Sequence, residues 1–251
     1  MGGTWRSLFK LHLFQNNHPV HIIHQYSIDK SKLTKFVEKI SSFNKSKLKT
    51  VEYISKSRTQ FLPYSSIILD EIMSITNPKK IICSISGLRE GSLSIDHFKN
   101  TKESEIFTKS IEYIALKRGD LGSTYQKYFK FILPVFDGNE HYNKKLLYLA
   151  CVLSHMDWGL GAFQKAELVF QETLNTPLLR LTHKERIQLA LSCYWRYCSI
   201  KYNPKFEYLT FLNNNEIFSS KQVGAALRFS QSLTSISTIF LEEFKLYKRG
   251  N

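Results

Sequence analysis

The pattern of apolar residues changes near residue 100 of the chain. Two short segments before that point, 21–28 and 80–86, carry apolar residues in a strand-like arrangement, whereas the periodicity from Glu105 onward is helical only. Two strands alone do not make a stable sheet. The first part of the chain is therefore predicted to belong to a larger α/β unit whose sheet takes strands from elsewhere.

Helices are predicted around these strand candidates. Leu33, Phe36, Val37 and Ile40 follow the i, i+3, i+4, i+7 spacing of a buried helix face, and Asp29 is the candidate cap. Further helices are expected at 4–15, opening at Thr4, at 48–54, and at 62–75, which has Pro63 in its first turn and ends at Asn77-Pro78. Segment 92–104 is polar and carries no long apolar run, which places a domain boundary there.

The remainder of the chain is predicted to be entirely helical. The expected helices are 105–118, 121–136, 144–155, 163–173, 184–202 and 221–248. Thr182 and Glu185 have the spacing of a capping box, and the run Asn213-Asn214-Asn215 indicates a loop. Together with the first hundred residues, this organisation predicts the α+β class.

Composition indicates a globular protein with a strong positive charge. Among 251 residues, 35 Lys and Arg against 21 Asp and Glu give a formal net charge of +14, which favours polyanions such as polyphosphate, nucleotides, nucleic acid or an anionic membrane surface. The richest stretch is 1–50, where Lys45, Lys47 and Lys49 form either a polyanion-contacting edge or a solvated helix face. The sequence carries no fingerprint of a fold that reads DNA or RNA, so no specific nucleic acid is expected.

The cysteines and the N-terminal residues indicate the cytoplasm. Cys83, Cys151, Cys193 and Cys198 lie in apolar surroundings without a Cys-x-x-Cys pair, as expected of buried reduced thiols. The first residues form no signal-peptide core, no run reaches the length of a membrane span, and Arg6 stands where a myristoylation signal requires Ser or Thr.

Two glycine-containing segments have the chemistry of phosphate binding. Gly2-Gly3-Thr4 precedes a predicted helix, where small residues let a ligand approach free backbone N–H groups. Gly87-Leu88-Arg89-Glu90-Gly91 follows a strand candidate, and Arg89 offers a fork of N–H donors suited to phosphate. Each segment alone also fits an ordinary surface turn.

The second segment carries a resemblance to a known family. Residues 80–91, which end in Gly-Leu-Arg-Glu-Gly, resemble the exopolyphosphatase and guanosine pentaphosphate phosphohydrolase family (Ppx/GppA). Further similar segments follow the same order along the chain: 2–8 with His24-Gln25-Tyr26, as in the alphaproteobacterial branch, Ser57-Arg58 with Leu62-Pro63-Tyr64, 149–154 with Trp158-Gly159, 182–186 and 224–228. Several ordered matches are more specific than any one of them.

This resemblance implies an architecture. Full-length members resemble actin-like phosphotransferases, with two α/β lobes followed by a helical domain related to HD hydrolases. Residues 1–97 are then expected to form the C-terminal part of a partial actin-like (ribonuclease H-like) α/β lobe, and residues 98–251 an all-α HD-like helical domain. The first lobe has no counterpart in this sequence, so the resemblance covers the C-terminal half of a family member.

The resemblance also implies an activity and a set of binding residues. Members hydrolyse terminal phosphoanhydrides of polyphosphate or guanosine pentaphosphate with the help of a divalent metal such as Mg²⁺. The acidic catalytic residue lies in the absent lobe, so neither a catalytic residue nor a metal ligand is assigned to this chain. The residues expected to bind phosphate or nucleotide are Gly2, Gly3, Thr4, Arg58, Gly87, Arg89, Glu90 and Gly91.

Two candidate metal sites are not supported by residue spacing. The segment 154–158 lacks the adjacent His-Asp pair of HD hydrolases, and His155 and Asp157 stand two apart, so they do not share a helix face. Four histidines near the N-terminus are interpreted as surface or packed side chains rather than as zinc ligands. They are His12, His18, His21 and His24.

Three functions remain open at the level of sequence. The chain is the C-terminal part of a phosphohydrolase, completed by a separate first-lobe chain and able to form a homodimer through its helical domain. Alternatively, it is a non-catalytic module that binds polyanions or partners. The third alternative is a truncated gene product with exposed apolar surface. The sequence does not distinguish polyphosphate from guanosine polyphosphate.

Overall fold

The computed structural model describes residues 2–99, 101, 103–119, 124–155, 159, 161–178, 180–202, 204, 207–235 and 239–247. The chain divides into two compact units. The first unit holds the residues up to His97 together with Pro177–His183, and the second holds Phe98–Thr176 and the residues from Lys184 onward. Helices with one small sheet agree with the predicted α+β class.

The first unit combines helices with a two-stranded antiparallel sheet. Its strands pair Ser27 with Ile82, Ile28 with Ile81 and Asp29 with Lys80. Its elements, in chain order, are α1 (Gly2–Gln15), β1 (Ser27–Asp29), α2 (Lys30–Ser41), α3 (Lys45–Lys49), α4 (Lys56–Thr59), α5 (Leu62–Thr76), β2 (Lys80–Ile82) and α6 (Leu88–Phe98).

The core of the first unit forms where α5 packs against α1 and α2. The predicted face of α2 is buried, with Leu33, Val37 and Ile40 fully enclosed. Leu62 and Met73 of α5 join the same apolar cluster. Trp5 of α1 contacts α5, because its indole Nε1 donates a hydrogen bond to the Ser65 carbonyl at 3.1 Å. This packing fixes the position of the first turn of α1.

Both strands are shorter than the sequence predicts. The segment 21–28 contributes only its end to β1, because Gln25 adopts a positive φ of 62° that an extended strand does not allow. The segment 80–86 was expected to be a buried strand, but β2 ends at Ile82, whose side chain is 57% exposed. The remaining residues of both segments form loops.

Three other boundaries in the first hundred residues differ from expectation. Helix α1 begins at Gly2 rather than at Thr4, which places the Gly-Gly-Thr segment in its first turn. The helix expected at 48–54 instead spans Lys45–Lys49, because the Asn44 side chain accepts from Lys47 N at 3.0 Å and starts it earlier. The polar segment 92–104, where no helix was predicted, holds the end of α6 and the start of α7. The division between the two units, after His97, falls within this segment.

The second unit is helical, as predicted. Its elements are α7 (Glu103–Lys117), α8 (Thr124–Phe136), α9 (Lys144–Leu153), α10 (Ala162–Asn175), most of α11 (His183–Tyr197), a 3₁₀ helix (Glu207–Phe211), α12 (Asn214–Thr234) and α13 (Phe240–Glu243). The prediction of a loop at Asn213–Asn215 was wrong, because Asn213 and Glu216 form a capping box that starts α12 there. The predicted single helix 221–248 is replaced by α12 and α13.

Buried arginines bind the ends of two helices in the second unit. Arg196 is 2% exposed and donates from Nη1 to Ser154 Oγ at 2.7 Å, just beyond the end of α9. Arg118 donates to the Leu153 carbonyl at the same helix end. Arg186 donates to the carbonyls of Leu174 and Thr176 at the end of α10. Cations at helix C-termini satisfy free carbonyls and the helix dipole, so these arginines stabilise the core.

The structure also bears on the predictions for the cysteines, for membrane-spanning helices and for the HD-like segment. All four cysteines carry free thiols, and three of them, Cys83, Cys151 and Cys193, are buried, as predicted. Within the part of the chain that the structure describes, every helix is too short or too polar to cross a membrane. Residues 156–158, which the HD comparison uses, lie outside the described residues.

Candidate anion-binding site

Two arginines and three glycines from separate segments meet at the first turn of α1. A Cβ atom built on Gly3 would lie 3.5 Å from Arg58 Cζ. Corresponding atoms on Gly2 and Gly87 would lie 3.7 Å and 3.2 Å from Arg6 Nη2. The start of α1, the short helix α4 and the loop before α6 are therefore neighbours. We call these five residues the Arg6–Arg58 site.

The position of Arg6 follows from helix geometry. Gly2 and Arg6 are four residues apart in α1, so they lie on one face of the helix. The Trp5 bond to Ser65 and the Ser7 Oγ bond to the Gly3 carbonyl, at 3.1 Å each, hold this turn in place. The guanidinium of Arg6 thereby stays beside the N-terminus of its own helix.

Gly87 is the N-terminal cap of α6, and its backbone N–H is already bonded. Gly87 N donates to Glu90 Oε2 at 2.6 Å, and Gly91 N donates to the Gly87 carbonyl at 3.0 Å. The bond from Gly87 N lowers the pKa of the Glu90 carboxyl, and the nearby charges of Arg89 and Arg6 lower it further. Glu90 is therefore a carboxylate at neutral pH, and it lies beside Gly87 at the start of α6.

Gly87 has little room for a side chain, because Arg6 and Glu90 approach its backbone closely. Its Cβ position lies 3.2 Å from Arg6 Nη2 and 3.3 Å from Glu90 Oε2, which is tighter than an ordinary contact. A side chain at this position would displace the guanidinium or the carboxylate. By contrast, a Cβ on Gly91 would meet no atom within 4 Å, so Gly91 is not needed for space.

The electrostatics of the Arg6–Arg58 site favour an anion. Two guanidinium groups, those of Arg6 and Arg58, stand beside the positive end of the α1 dipole. Arginine forks bind phosphate oxygens in pairs. Burial raises the pKa of the neighbouring Cys83 thiol to about 11, with Arg6 opposing this shift, so the thiol stays neutral. The site can hold and orient a phosphate group.

The structure gathers some of the residues expected from sequence and separates others. Gly2, Gly3, Arg58 and Gly87 belong to the site, and Glu90 bonds within it. Thr4 lies in the first turn of α1, while Arg89 and Gly91 are exposed on α6. Arg6, which lies beside Gly2 and Gly87, was not among the residues predicted from the sequence. Gly2 and Arg6 are four residues apart, which places them on one helix face only if the helix already begins at Gly2.

The residues of this site do not fit a Mg²⁺ ion. Glu90 is the carboxylate that contacts it, and this group accepts a hydrogen bond from Gly87 N. Across the described residues, no group of three or more His, Cys, Asp and Glu side chains is placed to hold a metal. The Mg²⁺ that the resemblance implies would need ligands other than these.

Comparison with known proteins finds a family that the first part of the chain resembles. Residues 2–98 match the model of the Ppx/GppA phosphatase family, whose members act on polyphosphate or guanosine polyphosphates. No curated protein matches the chain at a significant level. The matched range contains every residue of the Arg6–Arg58 site and both glycine segments. Over residues 2–98, this chain is therefore similar to the Ppx/GppA phosphatase family.

Proposed function

We propose that the chain binds the terminal phosphates of polyphosphate or a guanosine polyphosphate at the Arg6–Arg58 site, as the C-terminal part of a phosphohydrolase. The observation that carries this proposal is the convergence of Arg6 and Arg58 on Gly3 and Gly87. Two fixed positive charges and a helix N-terminus complement a phosphate group, and the family match supplies its chemical class.

The catalytic group is proposed to come from outside these residues. In our interpretation, residues 1–97 are the end of an actin-like lobe of the alphaproteobacterial type. The acidic residue, the Gly-rich loop and the Mg²⁺ ligands belong to a first lobe, which a separate chain could supply. Residues 98–251 form an HD-like domain that holds the polymer and permits a homodimer. The Arg6–Arg58 site would then bind and orient the substrate in the cytoplasm.

A combined binding and turnover assay tests this proposal. The purified chain is titrated with tripolyphosphate by calorimetry at 50 mM and 300 mM salt, and phosphate release from long-chain polyphosphate is followed with Mg²⁺. We expect binding that weakens at high salt, loses affinity in Arg58→Ala, and is accompanied by no release. Absence of binding at low salt would overturn the proposal.

A non-catalytic binding module is the second candidate. The carboxylate at the Arg6–Arg58 site is Glu90, and its bond to Gly87 N leaves it occupied as a helix cap rather than available as a base. Under this candidate, the chain binds tripolyphosphate without turnover even when a first-lobe chain is added. Release restored by that addition would exclude this candidate and support the phosphohydrolase.

Glu90→Gln is expected to raise the affinity for tripolyphosphate about three- to fivefold, the range of one exposed charge interaction. The substitution removes a negative charge next to Arg6 while keeping the size of the side chain, so the phosphate no longer competes with a carboxylate. Calorimetry at pH 7 measures the change. Glu38→Gln, which removes an exposed charge from α2, is the matched control and should leave the affinity within twofold. An unchanged or lower affinity in Glu90→Gln would contradict this role of Glu90.

A further inference from the structure

Three histidines gather around Tyr26 in the first unit. His12 Nδ1 lies 2.9 Å from the Tyr26 hydroxyl oxygen. The His183 ring stacks on Tyr26 with centroids 5.7 Å apart, and the His18 ring lies 4.9 Å from Tyr26 and 5.1 Å from His183. A fourth histidine, His24, adjoins the group through its backbone, because His183 Nε2 lies 3.2 Å from the His24 carbonyl oxygen. The fold brings together residues up to 171 positions apart in the chain.

One backbone bond in this cluster requires a neutral imidazole, because Ile85 N donates to His24 Nδ1 at 3.4 Å. His18 Nδ1 lies 3.1 Å from Val20 N and 3.0 Å from the Val20 carbonyl oxygen, so it has a backbone partner in either protonation state. A ring nitrogen accepts a hydrogen bond only while it is unprotonated, and both nitrogens of a charged imidazole are donors. Protonation of His24 at Nδ1 therefore places a donor opposite the Ile85 N–H and removes this bond.

The surroundings of the cluster disfavour an added positive charge. His12, His24 and His183 are at most 7% exposed. Burial lowers the pKa of His12, and Lys32 and His18 lower it further. Burial also lowers the pKa of His18, the Val20 backbone opposes this shift, and His21 adds to it. Tyr26 and Cys83, the other titratable groups here, stay neutral because burial raises the pKa of the phenol to about 12 and that of the thiol to about 11.

The cluster is bonded to the loop that leads into the Arg6–Arg58 site. Gln25 N donates to the Cys83 carbonyl at 2.8 Å, and Cys83 N donates to the Tyr26 carbonyl at 2.9 Å. The contact between His24 and Ile85 lies two residues before Gly87. A rearrangement of the cluster would therefore move the segment that presents Gly87 to Arg6.

We propose that the histidines around Tyr26 form a pH-sensitive latch, which holds Pro177–His183 and the loop before Gly87 in place when neutral and releases both when protonated. The latch regulates phosphate binding at the Arg6–Arg58 site, and this regulatory part rests on the proposed function. In the folded chain the neutral form is favoured, whereas unfolded histidines titrate near pH 6.5. The folded state therefore loses stability as the pH falls below about 6.5, because the unfolded state binds more protons.

Hydrogen exchange of the full chain tests the latch without a ligand. Amide exchange is measured at pH 7.5 and 5.5 and corrected for the intrinsic pH dependence of the rate. We expect exchange in Pro177–His183 and in residues 83–87 to become at least tenfold faster at pH 5.5, while α11 and α12 keep their protection. Equal protection of both segments at the two pH values would overturn the latch, whatever the ligand-binding result.

Two further measurements connect the latch to histidine ionisation and to phosphate. Ring ¹⁵N shifts of the unmodified chain should place the midpoints of His12 and His18 below about 6.5, the value of an unperturbed histidine. Midpoints at or above about 6.5 would overturn the proposal. His183→Gln should reduce the pH dependence of exchange, whereas the control His141→Gln should retain it. If hydrogen exchange changes with pH but the affinity for tripolyphosphate stays constant, the latch stands. Only its proposed regulation of phosphate binding would then be rejected.

Discussion

Arg6→Ala is expected to weaken tripolyphosphate binding by about 10- to 100-fold, although Arg6 stands outside both glycine segments. Its guanidinium lies beside Gly2 and Gly87, where the first turn of α1 meets the cap of α6. A hydrogen bond to a charged group contributes about 1.5–3 kcal/mol, which corresponds to this loss of affinity. Calorimetry at low salt measures the effect.

Arg228→Ala is the matched control for Arg6→Ala. Arg228 is an exposed arginine of α12, so its removal lowers the net charge by the same amount without touching the site. The control should bind within about twofold of the unmodified chain, since a distant exposed charge is largely screened by salt. Equal losses in the two variants would mean that binding follows net charge, and the localised site would be wrong.

Gly224→Ala is expected to destabilise the second unit by about 2–3 kcal/mol, because α12 packs directly on the backbone of α11. A Cβ on Gly224 would lie 2.6 Å from Trp195 Cβ, 2.8 Å from the Ser192 carbonyl oxygen and 2.9 Å from Trp195 C. Two of these atoms belong to a helix backbone, and Trp195 is fully buried, so neither helix can yield locally. Urea unfolding followed by circular dichroism measures the change.

Gly91→Ala, in α6, is expected to stabilise the protein rather than destabilise it. A Cβ there meets no atom within 4 Å, so only the lower backbone entropy of alanine in the unfolded chain acts. We expect a gain of about 0.5–1 kcal/mol in the stability of the first unit.

A Gly224→Ala chain that unfolds at the same urea concentration as the unmodified chain would show that α11 and α12 do not pack this closely.

Helices with one strongly apolar face could be read from the sequence. The spacing of Leu33, Phe36, Val37 and Ile40 predicted α2, and Pro63 with Asn77 set the limits of α5 within about one residue. The strands could not be delimited, because the positive φ of Gln25 is set by bonds such as Gln25 N to the Cys83 carbonyl, 58 residues away. Local propensity contains no information about such a partner.

The candidate site also contains residues that could be predicted from the sequence and others that could not. Gly2, Gly3, Arg58, Gly87 and Glu90 could be selected from the sequence, since glycine and arginine in these contexts have a known chemistry toward phosphate. Arg6 could not, because its role depends on α1 beginning two residues earlier than the N-cap signal at Thr4 indicates. The sequence also offered no reason to join His183 with His18 and Tyr26.

Sequence by itself determined the helical character of the described part of the second unit, the buried face of α2 and the residue types that suit an anion. These properties depend on spacing within a few residues, which the chain carries locally. Only the tertiary structure decided that Arg6 meets Gly87, that Glu90 accepts a hydrogen bond from Gly87 N, and that three histidines surround Tyr26. Such contacts join residues far apart in the chain, and they form because packing the apolar faces of α1, α2 and α5 fixes where every attached loop lies.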